Sequence, residues 1–229
     1  MKLVLVGTGY VGLVSGSCFA EFGYEVICVD KDKSRILELK KGKCPFFEPG
    51  IEELLSKHRD QTKLLNFTTS LPEAMEDADI IFITVGTPSK RLEGDADLSA
   101  VWNVAKDIAN IDQDLDFAFF GSSIHYVKDY KIILEKIFKK KIKYLIFSHT
   151  PFYKSVKNDK DIVMKQVNIH PIINYAYLIE LNNFLKFMDD NGYNLISRSQ
   201  NNLIKFLNFK NFKNFNYIGF LDLIFVAKK

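Results

Sequence analysis

Two rhythms alternate along this chain. Short unbroken apolar runs, strand-like in length and rich in Val and Ile, are separated by stretches whose apolar residues recur every three or four positions, as on a helix with one buried face. Lys2–Val6, Glu25–Val29, Leu64–Thr68 and Ile80–Val85 are the strand candidates of the first half. The intervening helices are predicted beyond Gly12 as far as Phe22, over Asp32–Lys41 (apolar at Ile36, Leu37 and Leu39, stopped by Gly42), over Ile51–Lys57 and over Pro72–Asp77, with another over Leu98–Ala109. The rhythm resumes at Asp116–Gly121 as a strand. A helix follows over Lys128–Lys140, with Tyr130, Ile133, Leu134, Ile137 and Phe138 on one side, then a strand at Tyr144–Phe147. Leu181–Asn191 reads as a helix ended by Gly192, and Tyr217–Val226 as one late strand or two joined at Gly219. Alternation of this kind predicts an α/β fold with a doubly wound, mainly parallel sheet and a second α/β half-domain at the C-terminus.

Composition divides the picture in two. The net charge of +3 hides −4 over residues 1–111 and +7 over residues 112–229. Nine of the 12 glycines precede residue 112, whereas 14 of the 20 phenylalanines and 13 of the 16 asparagines follow it. A junction is therefore expected near residues 110–116, giving domains 1–111 and 112–229. No run of about 18 apolar residues exists, so no membrane helix is expected. The three cysteines, Cys18, Cys28 and Cys44, form no C-x-x-C pair, and a cytoplasmic setting is the default expectation.

The first strand runs directly into Gly7-Thr8-Gly9-Tyr10-Val11-Gly12, and the second ends at Asp30, 18 residues beyond Gly12. Strand, G-x-G-x-x-G, helix, strand, acid is the order of a dinucleotide-binding βαβ unit. Gly7 permits a tight turn, Gly9 lets the backbone approach a pyrophosphate, and Gly12 allows close packing of helix on sheet. The helix N-terminus offers N–H groups and partial positive charge to the phosphates. Methyltransferases also end a first strand in a glycine-rich turn, but the third glycine at helix spacing favours NAD. The acid at Asp30 favours NAD over NADP, whose 2′-phosphate it would repel.

These residues, together with Leu13-Val14-Ser15-Gly16, Cys18-Phe19-Ala20-Glu21, Glu48-Pro49-Gly50 and Val85-Gly86-Thr87-Pro88, closely resemble the UDP-glucose 6-dehydrogenase family over residues 1–110. The resemblance implies an NAD-dependent oxidation of a nucleotide sugar's C6 alcohol to the carboxylate, and a role in polysaccharide biosynthesis. It implies that Gly7, Gly9, Tyr10, Val11 and Gly12 lie under the pyrophosphate, that Asp30 holds the ribose, and that Arg35 lies over the adenosine end. Thr87 would line the cofactor cleft, and Glu48 and Pro49 the wall near the sugar nucleotide. After Ala109 the family's Ser-Thr-Val-Pro-x-Gly-Thr-like strand, central helix and Gly-rich catalytic-cysteine segment are missing. The expectation is a dehydrogenase portion truncated before its catalytic cysteine and fused to a foreign segment, with no catalytic residue of its own.

Residues 116–229 resemble, more loosely, the C-terminal half of a class I S-adenosylmethionine-dependent methyltransferase: strand, helix, strand, helix and closing hairpin. That resemblance implies methyl transfer, or a non-catalytic fusion remnant, as the alternative function. His125, His149 and His170 match no compact metal spacing, so no metal is expected, and satisfied loop histidines are the favoured reading of His125 and His149. The Asn/Phe/Lys-rich run 201–216 reads as a low-complexity surface segment rather than a nucleic-acid site.

Overall fold

The computed structural model describes residues 1–88, 97, 99–111, 115–155, 160–169, 172–200 and 217–228. The predicted His170 and the run 201–216 lie outside them. The chain divides into two compact units, one made of Met1–Pro88 with Leu98–Ile111, the other principally of Asp112–Lys229.

In the first unit, strands β1 (Lys2–Val6), β2 (Glu25–Val29), β3 (Leu65–Thr68) and β4 (Ile80–Ile83) form a parallel sheet in the order β3-β2-β1-β4. Helices α1 (Tyr10–Glu21), α2 (Lys33–Lys40), α3 (Ile51–Ser56), α4 (Leu71–Met75) and α5 (Ser99–Ala109) complete it. The sheet is apolar on both faces, as strands between helix layers must be. One face carries Leu3, Leu5, Val26 and Cys28 and packs with Leu13 and Ala20 of α1. The other carries Val4, Val6 and Val29 and packs with Ala74. Asp32 caps α2 by accepting from Ser34 and Arg35 N–H, and Ile36 and Leu39 point inward. Leu37, an apolar position of the helical pattern, faces solvent at 58% exposure. A π-helical turn, Lys57–Gln61, extends α3 beyond the sequence expectation. Its His58 is buried and bonds Glu21 of α1 at 2.6 Å, fixing this segment against the first helix.

The second unit holds β5 (Phe117–Gly121), α6 (Tyr130–Phe138), β6 (Tyr144–Lys154), β7 (Ile162–Ile169), β8 (Ile172–Glu180), α7 (Leu181–Asp190), β9 (Tyr193–Gln200) and β10 (Tyr217–Ala227). Strands β5 and β6 pair in parallel around α6, a βαβ unit. Strand β10 is a single strand, antiparallel to both β6 and β9, so the sheet closes β5-β6-β10-β9, with β8 and β7 continuing from the later half of β6. The expected β5, α6, β6, α7 and β10 follow one another in that order, with β7 and β8 inserted between β6 and α7. The β7–β8 hairpin and β9 were not anticipated: only Tyr193 of β9 is buried, and its other seven residues are exposed, so no apolar run marks it. A core of its own, centred on Phe147, Phe152, Phe184 and Phe225, holds this unit together. Among the described residues no helix is long and apolar enough to cross a membrane.

Candidate nucleotide site

The glycine-rich turn follows β1, where the chain must reverse within a few residues to start α1. Gly7 takes φ +112°, a conformation that a side chain would oppose, and a Cβ there would lie 2.8 Å from the Thr84 carbonyl oxygen. At Gly12 a Cβ would lie 1.9 Å from the Gly7 carbonyl oxygen and 2.5 Å from Thr84 Oγ1. Gly12 therefore closes the turn on itself. Gly16, one turn later, allows a second close approach of helix to sheet, since a Cβ there would lie 2.9 Å from Cys28 Sγ. Gly9 is the exception: a Cβ there would meet nothing within 4 Å. That open space sits at the N-cap of α1, where no side chain accepts from the first N–H groups. The contrast with α2, capped by Asp32, is chemical: α1 keeps its first donors, at Tyr10, Val11 and Gly12, for another acceptor. Tyr10 and Val11 are solvent-exposed at that end. An uncapped helix N-terminus beside a vacant glycine surface fits a pyrophosphate.

Asp30 stands at the end of β2. Its Oδ2 accepts from Thr8 N at 2.9 Å and Thr8 Oγ1 at 2.7 Å, and Arg35 Nη1 lies 3.3 Å away; Oδ1 accepts from Asp32 N at 3.0 Å. Burial acts to raise its pKa, but the bonds from Thr8 and Asp32 and the Arg35 guanidinium outweigh it and hold the carboxyl below the ordinary aspartate value. The carboxylate is thus ionised and pre-oriented, with Arg35 beside it. Thr8, fully buried, was not singled out from the sequence although it lies inside the motif. Thr84 was also missed. Its Oγ1 reaches the carbonyls of Val6 and Gly7 at 3.1 and 2.9 Å, tying the end of β4 to the turn, while Thr87 lies exposed three residues beyond.

Glu48 and Pro49 belong to the turn before α3, with Gly50 at φ +82°. The Tyr10 hydroxyl donates to Glu48 Oε2, and the Tyr10 and Phe46 rings lie 5.2 Å apart, so this turn adjoins the glycine loop. A shallow depression of about 190 Å³ follows the turn from Phe46 to Glu53, and Phe47 projects from it at 90% exposure. No cysteine is suited to nucleophilic work here. Burial pushes the Cys28 thiol up to about 12, Cys18 faces out from α1, and Cys44 is a loop residue.

In the second unit His125 departs from the satisfied loop histidine expected of it. It is 3% exposed, and its Nδ1 is buried without a hydrogen-bond partner. Burial, with His149 nearby, lowers its pKa to about 4. The unfolded chain takes up this proton below about pH 6.5 and the folded chain does not, so the stability is present above pH 6.5 and lost as pH falls toward 4. The loss attributable to His125 should reach roughly 3 kcal/mol. Urea unfolding of the wild type and His125→Gln at pH 7 and pH 4.5 checks this: the variant should lose less, and equal losses would refute the assignment.

A sequence model described as the UDP-glucose/GDP-mannose dehydrogenase family, NAD binding domain, matches residues 1–165, which carries the match past Ile111 and across β5, α6 and β6. A UDP-glucose 6-dehydrogenase of Rhizobium meliloti is 52% identical over 109 residues, covering 48% of this chain and 25% of that protein. The chain spans about a quarter of the length of the first curated relatives it matches. Among solved structures, a ternary complex of GDP-mannose dehydrogenase from Pseudomonas aeruginosa superposes with a TM-score of 0.54 at 33% identity, over 66% of this chain and 36% of that one. An S-adenosylmethionine-dependent methyltransferase structure from Listeria monocytogenes aligns with all of this chain and 91% of its own, at 12% identity and a TM-score of 0.40, from which nothing about this chain follows.

Proposed function

The chain belongs to the UDP-glucose/GDP-mannose dehydrogenase family through its NAD-binding domain, and from that premise we propose that its first unit is the cofactor-binding portion of a nucleotide-sugar oxidoreductase. The cofactor is NAD. The observation that carries the proposal is the uncapped N-terminus of α1 beside the open face of Gly9, with an ionised Asp30 at the neighbouring strand end. In this reading the N–H groups of Tyr10, Val11 and Gly12 bind the pyrophosphate. Asp30 accepts from the adenosine ribose hydroxyls, Arg35 covers the adenosine end, and Thr87 lines the cleft beyond β4. Glu48 and Pro49, joined to the cofactor loop through Tyr10, border the sugar nucleotide. NAD, when bound, accepts the hydride released as the C6 alcohol is oxidised. In this reading the first unit binds and orients the cofactor. Residues 112–229 are read as a separate unit joined to it.

Thermal unfolding with NAD, UDP-glucose and S-adenosylmethionine added separately tests the proposal. NAD at about 100 times its dissociation constant adds roughly 2.7 kcal/mol of stability; a shift with S-adenosylmethionine instead of NAD would overturn the reading. Asp30→Ala gives a sharper test. Charge-assisted hydrogen bonds of about 1.5–3 kcal/mol disappear, so NAD affinity should fall about 10- to 100-fold. NADP should lose little, because the repulsion of its 2′-phosphate disappears while Arg35 remains. The NAD-to-NADP affinity ratio, measured by calorimetry, should therefore collapse. A purely structural role for Asp30 would weaken both cofactors equally.

A further inference from the structure

In the second unit, α6 and α7 pack on the same face of the sheet, where Phe120, Leu145, Phe147 and Phe225 meet Leu134 and Phe184. Successive side chains of a strand point to opposite faces, so the strand registers lay out the other side. Phe117 of β5, Tyr144 of β6 and Val226 of β10 form one row there, and Phe119, Ile146 and Ile224 the next. Phe117 and Phe119 are 41% and 57% exposed and the other four are half-buried, whereas the inward-facing Leu145, Phe147 and Phe225 are buried. The Phe119 ring lies over Gly121, where a Cβ would come 2.6 Å from Phe119 Cε1. Polar residues border this apolar block. Asn194 and Ser197 of β9 continue the two rows, and Ser148, Asp222 and Ser199 form a third. The Asp222 carboxylate is already engaged, accepting from Ser148 Oγ at 2.9 Å, His149 N at 2.8 Å and Ser199 Oγ at 3.5 Å. At the opposite end of the block the Lys143 ammonium lies 5.1 Å from the Tyr144 ring centroid.

We propose that this face is an interface between two copies of the chain. A two-fold axis lying across the strands stacks the sheets face to face, β5 over β5, with the strands running oppositely. Sheets built on parallel βαβ units are normally covered on both faces, and an exposed apolar patch with a polar rim has the anatomy of an interface. The chemistry favours a second copy as the cover. The six residues of the block are uncharged, so identical blocks oppose no like charges. The ends are complementary under this axis, because reversal sets the Lys143 end of each copy against the Asp222 end of the other. Area sets the strength. Four strands about 4.8 Å apart, with β5 five residues long at about 3.4 Å per residue, present a face of roughly 300 Å². Two such faces fall at the lower end of specific interfaces, so the dimer is weak, with a dissociation constant on the order of 10 μM.

Sedimentation velocity of the full chain from about 1 to about 200 μM spans that constant and should show monomer giving way to dimer. Phe119→Lys places a charge at the centre of the interface from an exposed position, and should weaken the dimer at least tenfold. Phe117→Lys, beside it, should do the same, and circular dichroism checks that both variants keep their fold. Leu37→Lys is the control: Leu37 is equally exposed, but on α2 of the first unit, and its replacement should change nothing. The contact is mainly apolar, so raising salt from about 0.1 to about 0.5 M should move the constant less than about threefold. A monomer throughout the range overturns the proposal, as does a dimer that folded Phe119→Lys and Phe117→Lys leave intact, or one that Leu37→Lys weakens equally. A dimer lost at high salt also overturns it, since that contact would join the −4 half of one copy to the +7 half of another.

Discussion

Replacing Gly12 by Ala should cost the first unit about 3 kcal/mol or more and abolish NAD binding, whereas Gly9→Ala should leave stability within about 0.5 kcal/mol and weaken NAD at least tenfold. The two substitutions add the same methyl group three residues apart, and the surroundings decide the difference. At Gly12 the new carbon lies 1.9 Å from the Gly7 carbonyl oxygen and 3.1 Å from its carbonyl carbon. These are backbone atoms of a turn already pinned, since Gly7 N donates to Val29 O at 2.7 Å and Gly7 O accepts from Thr84 Oγ1. Relief demands that the turn move away from both neighbouring strands, taking with it the Thr8 contacts that orient Asp30. At Gly9 the backbone has φ −72°, open to any residue, and the methyl group projects into empty space. Only a ligand can meet it there. Urea unfolding monitored alongside NAD calorimetry separates the two outcomes. NAD affinity unchanged in Gly9→Ala would remove the pyrophosphate from this turn.

That pair of glycines also marks how far sequence could reach. The spacing of Gly7, Gly9 and Gly12 and the acid at Asp30 identify the βαβ unit because their meaning is local: each acts within one turn or at one strand end. The parts that escaped are long-range. Thr84 is one of several threonines near a strand end, and only the pairing of β4 with β1 brings its hydroxyl to the Gly7 carbonyl. Gly16 sits in an ordinary helical stretch until the fold sets Cys28 against it. The histidines show the same limit. Nothing around His125 in the chain distinguishes a satisfied ring from an orphaned one, because its surroundings are supplied by β6 and β8, which lie about 20 and 50 residues away. Strand β9 was hidden for another reason: it is held by its ladder to β10 and buries almost no side chains, so periodicity carries no trace of it.

Phe184→Ala should destabilise the second unit by about 3–5 kcal/mol, a large share of the 5–15 kcal/mol typical of a domain, and yet leave NAD affinity unchanged. Phe184 is fully buried on the inner side of α7, with ring centroids 5.1 Å from Phe147 of β6, 5.2 Å from Phe152, 6.1 Å from Tyr130 of α6 and 6.0 Å from Phe225 of β10. It is the side chain on which α6, α7 and both central strands converge, so truncation leaves a void that no single neighbour can fill. The residues of that core are all drawn from the second unit, and those of the two sheet-face cores around β1 all from the first. If each unit's stability rests on its own core, hydrogen exchange in the variant should accelerate in β6, α7 and β10 while β1 and β2 keep their protection, and NAD should still raise the unfolding temperature of the first unit. Loss of NAD affinity in Phe184→Ala would mean instead that the two units fold as one cooperative body, with the nucleotide turn drawing its stability from the far half of the chain.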